Sequence, residues 1–304
     1  MNKIKQIVPF INPFIYCVPI LYGIAKSLDS LIGVDSILQI GWNKVKETLG
    51  DNKAYYNVGL LFFYNFGFYY LQTLIFYLVV KYKRQNVVKN LKLQAKDSEI
   101  ETPENTKKVM LNVLRNQLVT LGILGAAYIY DNDFARARRD PELPSLFEVM
   151  RHLICCMFIH EFGFYYSHRL LHTKWFWRFH KQHHEFKTPT FLISQYSSVF
   201  EFVVSGFIPI TIGIGMLRMH IATALLWLSV VSVTLTFGHM GYHLPFLHTP
   251  QMHDNHHLKS NVNFSVYCIA DILHGTWQNS KNVEDYEKSS NWVPYARIKD
   301  NKQG

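Results

Sequence analysis

From Ala54 to Val80 the chain carries no Asp, Glu, Lys, Arg or His and is dominated by Phe, Tyr and Leu. About twenty apolar residues cross a bilayer as a helix, so this stretch predicts a transmembrane helix and, with it, an all-α integral membrane protein. Lys81, Lys83 and Arg84 follow at once, and Lys89, Lys92 and Lys96 extend the basic run. Cytoplasmic loops collect positive charge, so this end is expected in the cytosol. Only 17% of the residues are charged, against about 25% in a soluble domain. The formal charge of +9 is spread without a basic stripe or a nucleic-acid motif. It reads as loop cations near membrane lipids, and nucleic acid is not expected as a partner.

Further apolar stretches follow. Val109 to Tyr130 either spans or enters part-way, with Arg115, Asn116 and Gln117 near its start; the polar residues 97–108 before it read as a cytosolic loop. Leu143 to Tyr166 carries Glu148, Arg151, His152, His160 and Glu161, groups that must face protein or a site rather than lipid. Phe202 to Gly238 is almost uncharged and reads as two helices joined by a tight turn near Arg218, the first bent by Gly206, Pro209, Gly213 and Gly215. An earlier apolar stretch, from Val8 to about Ala25, has no clean cleavage site after it. The four cysteines, Cys17, Cys155, Cys156 and Cys268, lack CxxC spacing and are expected as free, packed thiols. A bundle of about four to six helices results. Residues 1–108 are expected to hold N-terminal membrane segments and a basic loop, 109–278 the catalytic membrane domain, and 279–304 a polar tail.

Ten of the fifteen histidines fall into four groups. His168 and His172 form HxxxH; His180, His183 and His184 form HxxHH. His239 and His243 repeat the first pattern, and His253, His256 and His257 the second. Residues three and four apart share a helix face, so each group is expected to aim its imidazoles one way. A two-helix hairpin returns the chain to the side it left, which brings the groups before Phe202 and after Gly238 together. His152, His160, His220, His248 and His274 stand apart and read as structural; activity is expected to survive His220→Ala, at the hairpin turn.

Imidazole suits Zn, Cu, Fe and Ni. One zinc takes about four protein ligands, so ten histidines suit two metals with about five nitrogens each. His160-Glu161 is not a zincin motif, since Phe164 stands where the second histidine belongs. Two irons with positions open to dioxygen can oxidise an unactivated C–H bond while the protein fixes geometry and excludes water. Around the boxes Trp175, Phe176, Trp177 and Phe179 alternate with Lys174, Arg178 and Lys181. This is either an interfacial aromatic belt or a basic docking surface for an acidic electron donor.

The runs Phe164-Tyr-Tyr-Ser-His-Arg-Leu-Leu-His172 and His180-Lys-Gln-His-His-Glu-Phe186 resemble the fatty acid hydroxylase (sterol desaturase) superfamily, especially its sterol C4-methyl oxidases. His239-Met-Gly-Tyr-His-Leu-Pro-Phe-Leu247, His253-Asp-Asn-His-His-Leu-Lys259 and Leu273-His-Gly-Thr276 look more like the fatty acid hydroxylase domain-containing branch. Over roughly residues 150–278 the resemblance implies a transmembrane core under a cytosolic histidine-rich cap, residence in the endoplasmic reticulum, and two non-haem irons on the ten grouped histidines. It also implies electrons from NAD(P)H through cytochrome b5 or its reductase. Thr173, Ser197-Ser198-Val199 and Trp277 depart from the family pattern. The expected activity is O2-dependent oxidation of a lipid, first the C4 methyl of a sterol. The alternatives are hydroxylation or desaturation of acyl or alkyl chains, or a non-catalytic metal- or lipid-binding role.

Overall fold

The computed structural model describes residues 37–83, 102–242 and 249–278. The apolar stretch near the N-terminus, the basic run from Arg84 to Lys96, His243, His248 and the polar tail lie outside the described residues. Among those described, the regular elements are all helical. A short amphipathic helix α1, Ile37–Leu49, precedes α2, Leu61–Lys83, which is entered through a π-helical turn at Tyr55–Leu60. Then come α3, Pro103–Tyr130, and α4, Leu146–Leu171. The short α5, Trp177–His180, leads into a loop with 3-10 turns at His183–Glu185 and Phe191–Gln195. Helix α6 runs over Val199–Met216 and α7 over Ile221–Gly238. Two short helices close the cap, α8 (Thr249–Lys259) and α9 (Ile269–His274).

Among the described residues, four segments are long and apolar enough to cross a membrane: Tyr55–Val79, Pro103–Tyr130, Val199–Met216 and Ile221–Gly238. The expected hairpin is present. Residues 217–220 turn the chain between α6 and α7, with Arg218 at φ 48° and Met219 donating its N–H to the Ile214 carbonyl. The start of α3 differs from the expectation. Residues 103–108 are its first turns rather than loop, because Thr102 accepts a hydrogen bond from the Asn105 N–H and Pro103 occupies the first turn, a strong start signal. Two more helices begin on a Ser-x-x-Glu box: Ser145 caps α4 through the Glu148 N–H, and Ser198 caps α6 through the Glu201 N–H.

Of the polar groups of α4, Glu148, His152, His160 and Glu161 face protein, as expected, whereas Arg151 is exposed. Glu148 pairs with Arg138, and the carboxylate of Glu161, fully buried, accepts the backbone N–H groups of Val266, Tyr267 and Ala270 at 2.8–3.2 Å. Helix α4 packs closely on α6, and small residues make that possible. A Cβ on Gly213 would lie 2.7 Å from the Cys156 sulfur, and one on Gly163 would lie 3.1 Å from Pro209. Cys155, Cys156 and Cys268 are free; Cys17 lies outside the described residues.

His220 is structural, as expected. It is fully buried, accepts the Ala222 N–H at the start of α7, donates towards the Asp140 carbonyl at 3.2 Å, and meets the Trp42 ring edge-on at 4.9 Å. The cap sits at the end of the bundle where α3 begins, since Lys108 pairs with Glu185. The loop holding Arg138 and Arg139 closes the opposite end, where Arg139 meets Asn57 below α2.

Candidate metal centre

Nine of the ten grouped histidines converge into two clusters; the tenth, His243, lies outside the described residues. His168, His172, His180, His184 and His256 form one, with candidate ligand atoms within 4.8 Å of one another, and His183, His239, His253 and His257 form the other. The clusters adjoin, the His184 and His257 rings standing 4.6 Å apart.

The sequence groups do not map one to a cluster. In each HxxHH box the first and last histidines, four residues apart, stay together: His180 with His184, and His253 with His257. The middle one crosses over, His183 to the second cluster and His256 to the first. On α8 this follows from the 3.6-residue turn: positions i and i+4 lie about 40° apart on one side, while i+3 points about 60° the other way. The expected helical setting of His239 also fails. Helix α7 stops at Gly238 with His239 as its C-cap, and Gly241 turns the chain at φ 70° so close to the cap that a Cβ would lie 2.7 Å from the Pro189 carbonyl oxygen.

The inward atoms are Nε2. Separations in the first cluster are 3.1 Å for His168–His180, 2.9 Å for His172–His180, 2.9 Å for His180–His184 and 3.1 Å for His172–His256. In the second they are 3.3 Å for His183–His239, 2.8 Å for His239–His253 and 3.0 Å for His253–His257. Metal–imidazole bonds of about 2.0–2.1 Å put adjacent nitrogens about 3.0 Å apart in octahedral and about 3.4 Å apart in tetrahedral coordination. The observed spacings, 2.8–3.3 Å, are those of nitrogens that could share an ion.

Outward nitrogens fix the tautomers. Nδ1 donates to a backbone carbonyl in His168 (Phe264, 2.7 Å), His183 (Tyr196, 3.0 Å), His239 (Leu235, 2.7 Å) and His256 (Val262, 2.8 Å). Each Nε2 is then a bare lone pair aimed inward. His183 and His239 thus point two lone pairs at each other across 3.3 Å, an arrangement that repels unless a cation lies between them. The residues fit a dimetal site. Burial, reinforced by the neighbouring imidazoles, holds His172 down to about 2 and His239 to about 3; burial alone holds His183 at about 4. His180 and His184 are lowered for the same two reasons. The imidazoles are therefore neutral and ready to ligate.

Two supporting residues, Glu201 and Asp271, escaped the sequence reading, and a third, Glu161, was expected only to face protein or a site. Glu201, on the first turn of α6, places Oε1 2.9 Å from His180 Nδ1, off the N–H direction, and so lies against the outer side of that ring. Its signal was available: a lone acid at the mouth of an apolar span. Glu161 and Asp271 shape the loop that holds His168 and His256. Asp271 accepts the Phe264 and Ser265 N–H groups and the hydroxyls of Ser265 and Thr276 at 2.5–2.9 Å. Trp177 lies 5.6 Å from His172 and 5.5 Å from His184, so one member of the aromatic run belongs to the site. Trp175 is exposed, with Lys174 over its ring. Of the isolated histidines, His160 is buried against Trp227 and Tyr267, and His274 stacks on Tyr165 and meets the Tyr166 hydroxyl at 2.9 Å.

Beneath the clusters runs a cavity of about 590 Å³, within the range of ligand pockets. Its upper wall includes His168, His183, His239 and His253; its lower wall is apolar, with Phe62, Leu124, Ile214 and Met216. From Glu201 to Met216 along α6 the rise is about 22 Å, so the cavity extends through much of the membrane-spanning layer.

Residues 153–276 match the family model described as Fatty acid hydroxylase. Human "Fatty acid hydroxylase domain-containing protein 2" is 34% identical over 209 residues, which are 67% of this chain and 62% of that relative's length. "Methylsterol monooxygenase 2-1" of Arabidopsis thaliana is 27% identical over 273 residues, 80% of this chain and 95% of the relative. "Fatty acid hydroxylase ahd1" of Mycosarcoma maydis is 31% identical over 135 residues, 44% of this chain and 35% of the relative. No solved structure matches the chain significantly. With its histidine clusters inside the matched segment, the chain carries a fatty acid hydroxylase domain over residues 153–276.

Proposed function

We propose that the chain is a membrane-bound, non-haem di-iron monooxygenase that oxidises a lipid, with the C4 methyl group of a sterol as the first candidate. The observation that carries this reading is the pair of neutral histidine clusters at the head of a long apolar cavity. His168, His172, His180, His184 and His256 would hold one iron, and His183, His239, His253 and His257 the other. Two irons supply the activation of dioxygen needed to break an unactivated C–H bond. The chain's residues do the rest. The apolar walls align a lipid with one end at the histidines and keep water out, and the carbonyls behind His168, His183, His239 and His256 hold the ligand nitrogens inward.

The sterol preference draws on the methylsterol monooxygenase that aligns over 95% of its own length. A long acyl or alkyl chain is the second reading, favoured by the depth of the cavity and by the fatty acid hydroxylase relative. Residence in the endoplasmic reticulum, a cytosolic active site, and electrons from NAD(P)H through cytochrome b5 or its reductase complete the proposal. The exposed Lys174, Trp175 and Arg178 at the cap margin are candidates for the donor's landing surface. A reconstituted assay with cytochrome b5, its reductase and NADH, offering a 4-methyl sterol and an acyl lipid side by side, tests the substrate. Oxidation of the sterol methyl is expected; acyl hydroxylation without sterol product would promote the second reading.

A further inference from the structure

The cavity beneath the clusters is shut at one end and open at the other. Around the histidines it is lined by His168, His183, Glu201, His239, Met252 and Val266, all of them buried. Among the described lining residues three are exposed, Arg136, Ile212 and Met216, and these lie in its far part. Ile212 is 47% and Met216 67% exposed. They stand four residues apart and so share a face of α6. From Glu201 the helix rises about 16 Å to Ile212 and about 22 Å to Met216.

The packing of the helices accounts for the opening. The last turns of α3 bring Ile123 and Ala127 to the cavity. Helix α3 packs on α2 and on the turn at Phe191–Gln195, and α6 packs on α4, but α3 and α6 touch each other only sparsely. A slot is left between two helices that each pass for membrane spans. Arg136 marks its depth. The loop that carries it sits on the last turn of α6, where a Cβ on Gly215 would lie 3.4 Å from the Ala135 carbonyl oxygen. A guanidinium is costly in hydrocarbon and settles at the headgroup boundary. The slot therefore opens in the half of the bilayer away from the histidines, where an apolar passage admits lipid in preference to water.

We infer that the substrate lipid enters this cavity from the bilayer through a portal between α3 and α6, in the leaflet opposite the cap, and that Ala127, Ile212 and Met216 set the width of that portal. The inference rests on the lipid-monooxygenase reading above and adds the route. The reacting end of the lipid leads, since it must travel the length of the cavity to reach the histidines, and the other end trails at the portal.

The test uses the full chain in proteoliposomes and two probes, a 4,4-dimethyl sterol and a long-chain acyl lipid, each carrying a photoreactive diazirine. A flash of light fixes the bound probe, and label on the cavity wall reports occupancy at each time. Adding probe to unloaded protein gives the entry rate; chasing loaded protein with excess unlabelled lipid gives the exit rate. Ala127→Phe and Ile212→Phe narrow the portal and are expected to slow entry and exit together by at least about fivefold, with equilibrium occupancy within about twofold of the parent's. Met216→Ala widens it and is expected to speed both. Ile208→Phe is the control: Ile208 is 46% exposed on the same helix and is not among the lining residues, so its rates are expected to match the parent's. Unchanged rates in all three portal variants, or lower occupancy with unchanged entry, would overturn the portal and leave the lipid reading standing. Altered exchange of either probe without any oxidised product from iron-loaded protein supports the portal and rejects the monooxygenase reading. A parent that takes up neither probe would overturn the lipid reading and the portal with it.

Discussion

Each histidine of the centre has one nitrogen for a metal and, in four cases, a carbonyl gripping the other. This division makes single substitutions informative. His183→Ala and His256→Ala remove a ligand from different clusters, and each is expected to abolish oxidation and lower retained iron from about two towards one per chain, measured by metal analysis, with membrane insertion intact. The scaffold residues give a different signature. Glu161→Gln weakens the acceptor for three buried N–H groups and is expected to cost about 2–4 kcal/mol of stability, read as a lower unfolding temperature. The ten histidines were legible because ligand spacing is local and repeated. The crossing of His183 and His256 was not, since it depends on where the second cluster stands. Glu201 was overlooked because the span was taken to begin one residue later, at Phe202, which left this acid in a loop.

At the scale of elements, the helices follow from apolar runs and from caps written in the sequence. The hairpin turn at Arg218 and the inward-facing charges of α4 were legible for that reason. The beginning of α3 was also written, in Thr102-Pro103-Glu104, but the surrounding polarity masked it. Contacts between helices were not legible. Gly213 lets α4 approach, and Gly213→Val should destabilise the bundle by about 1–3 kcal/mol through overpacking against Cys156. His220→Ala, at first sight a harmless control, should cost about 1–2 kcal/mol, because the substitution removes a helix cap and leaves the Asp140 carbonyl without its donor. Iron content should not change in either variant. A thermal unfolding series with metal analysis on the same samples checks both expectations.

For the whole molecule, the cap, the start of α3 and the last described residue share one end. Gln278 exchanges hydrogen bonds with Asn263 of the cap, and Lys108 reaches Glu185. Helix α2 ends at that same end with Lys81 and Lys83 in its last turn, and positive charge marks the cytosolic side. A tag on the C-terminus is therefore expected to be cut by protease added to intact microsomes; protection would invert the topology. Everything else depends on the two histidine clusters holding two metals that react. The most direct measurement is iron per chain, by metal analysis, in protein purified from iron-replete cells, alongside iron-dependent lipid oxidation by the same preparation. The expected result is about two irons per chain, with turnover lost on chelation and regained when ferrous iron is restored. A single tightly held zinc, with no turnover that depends on iron, would contradict it.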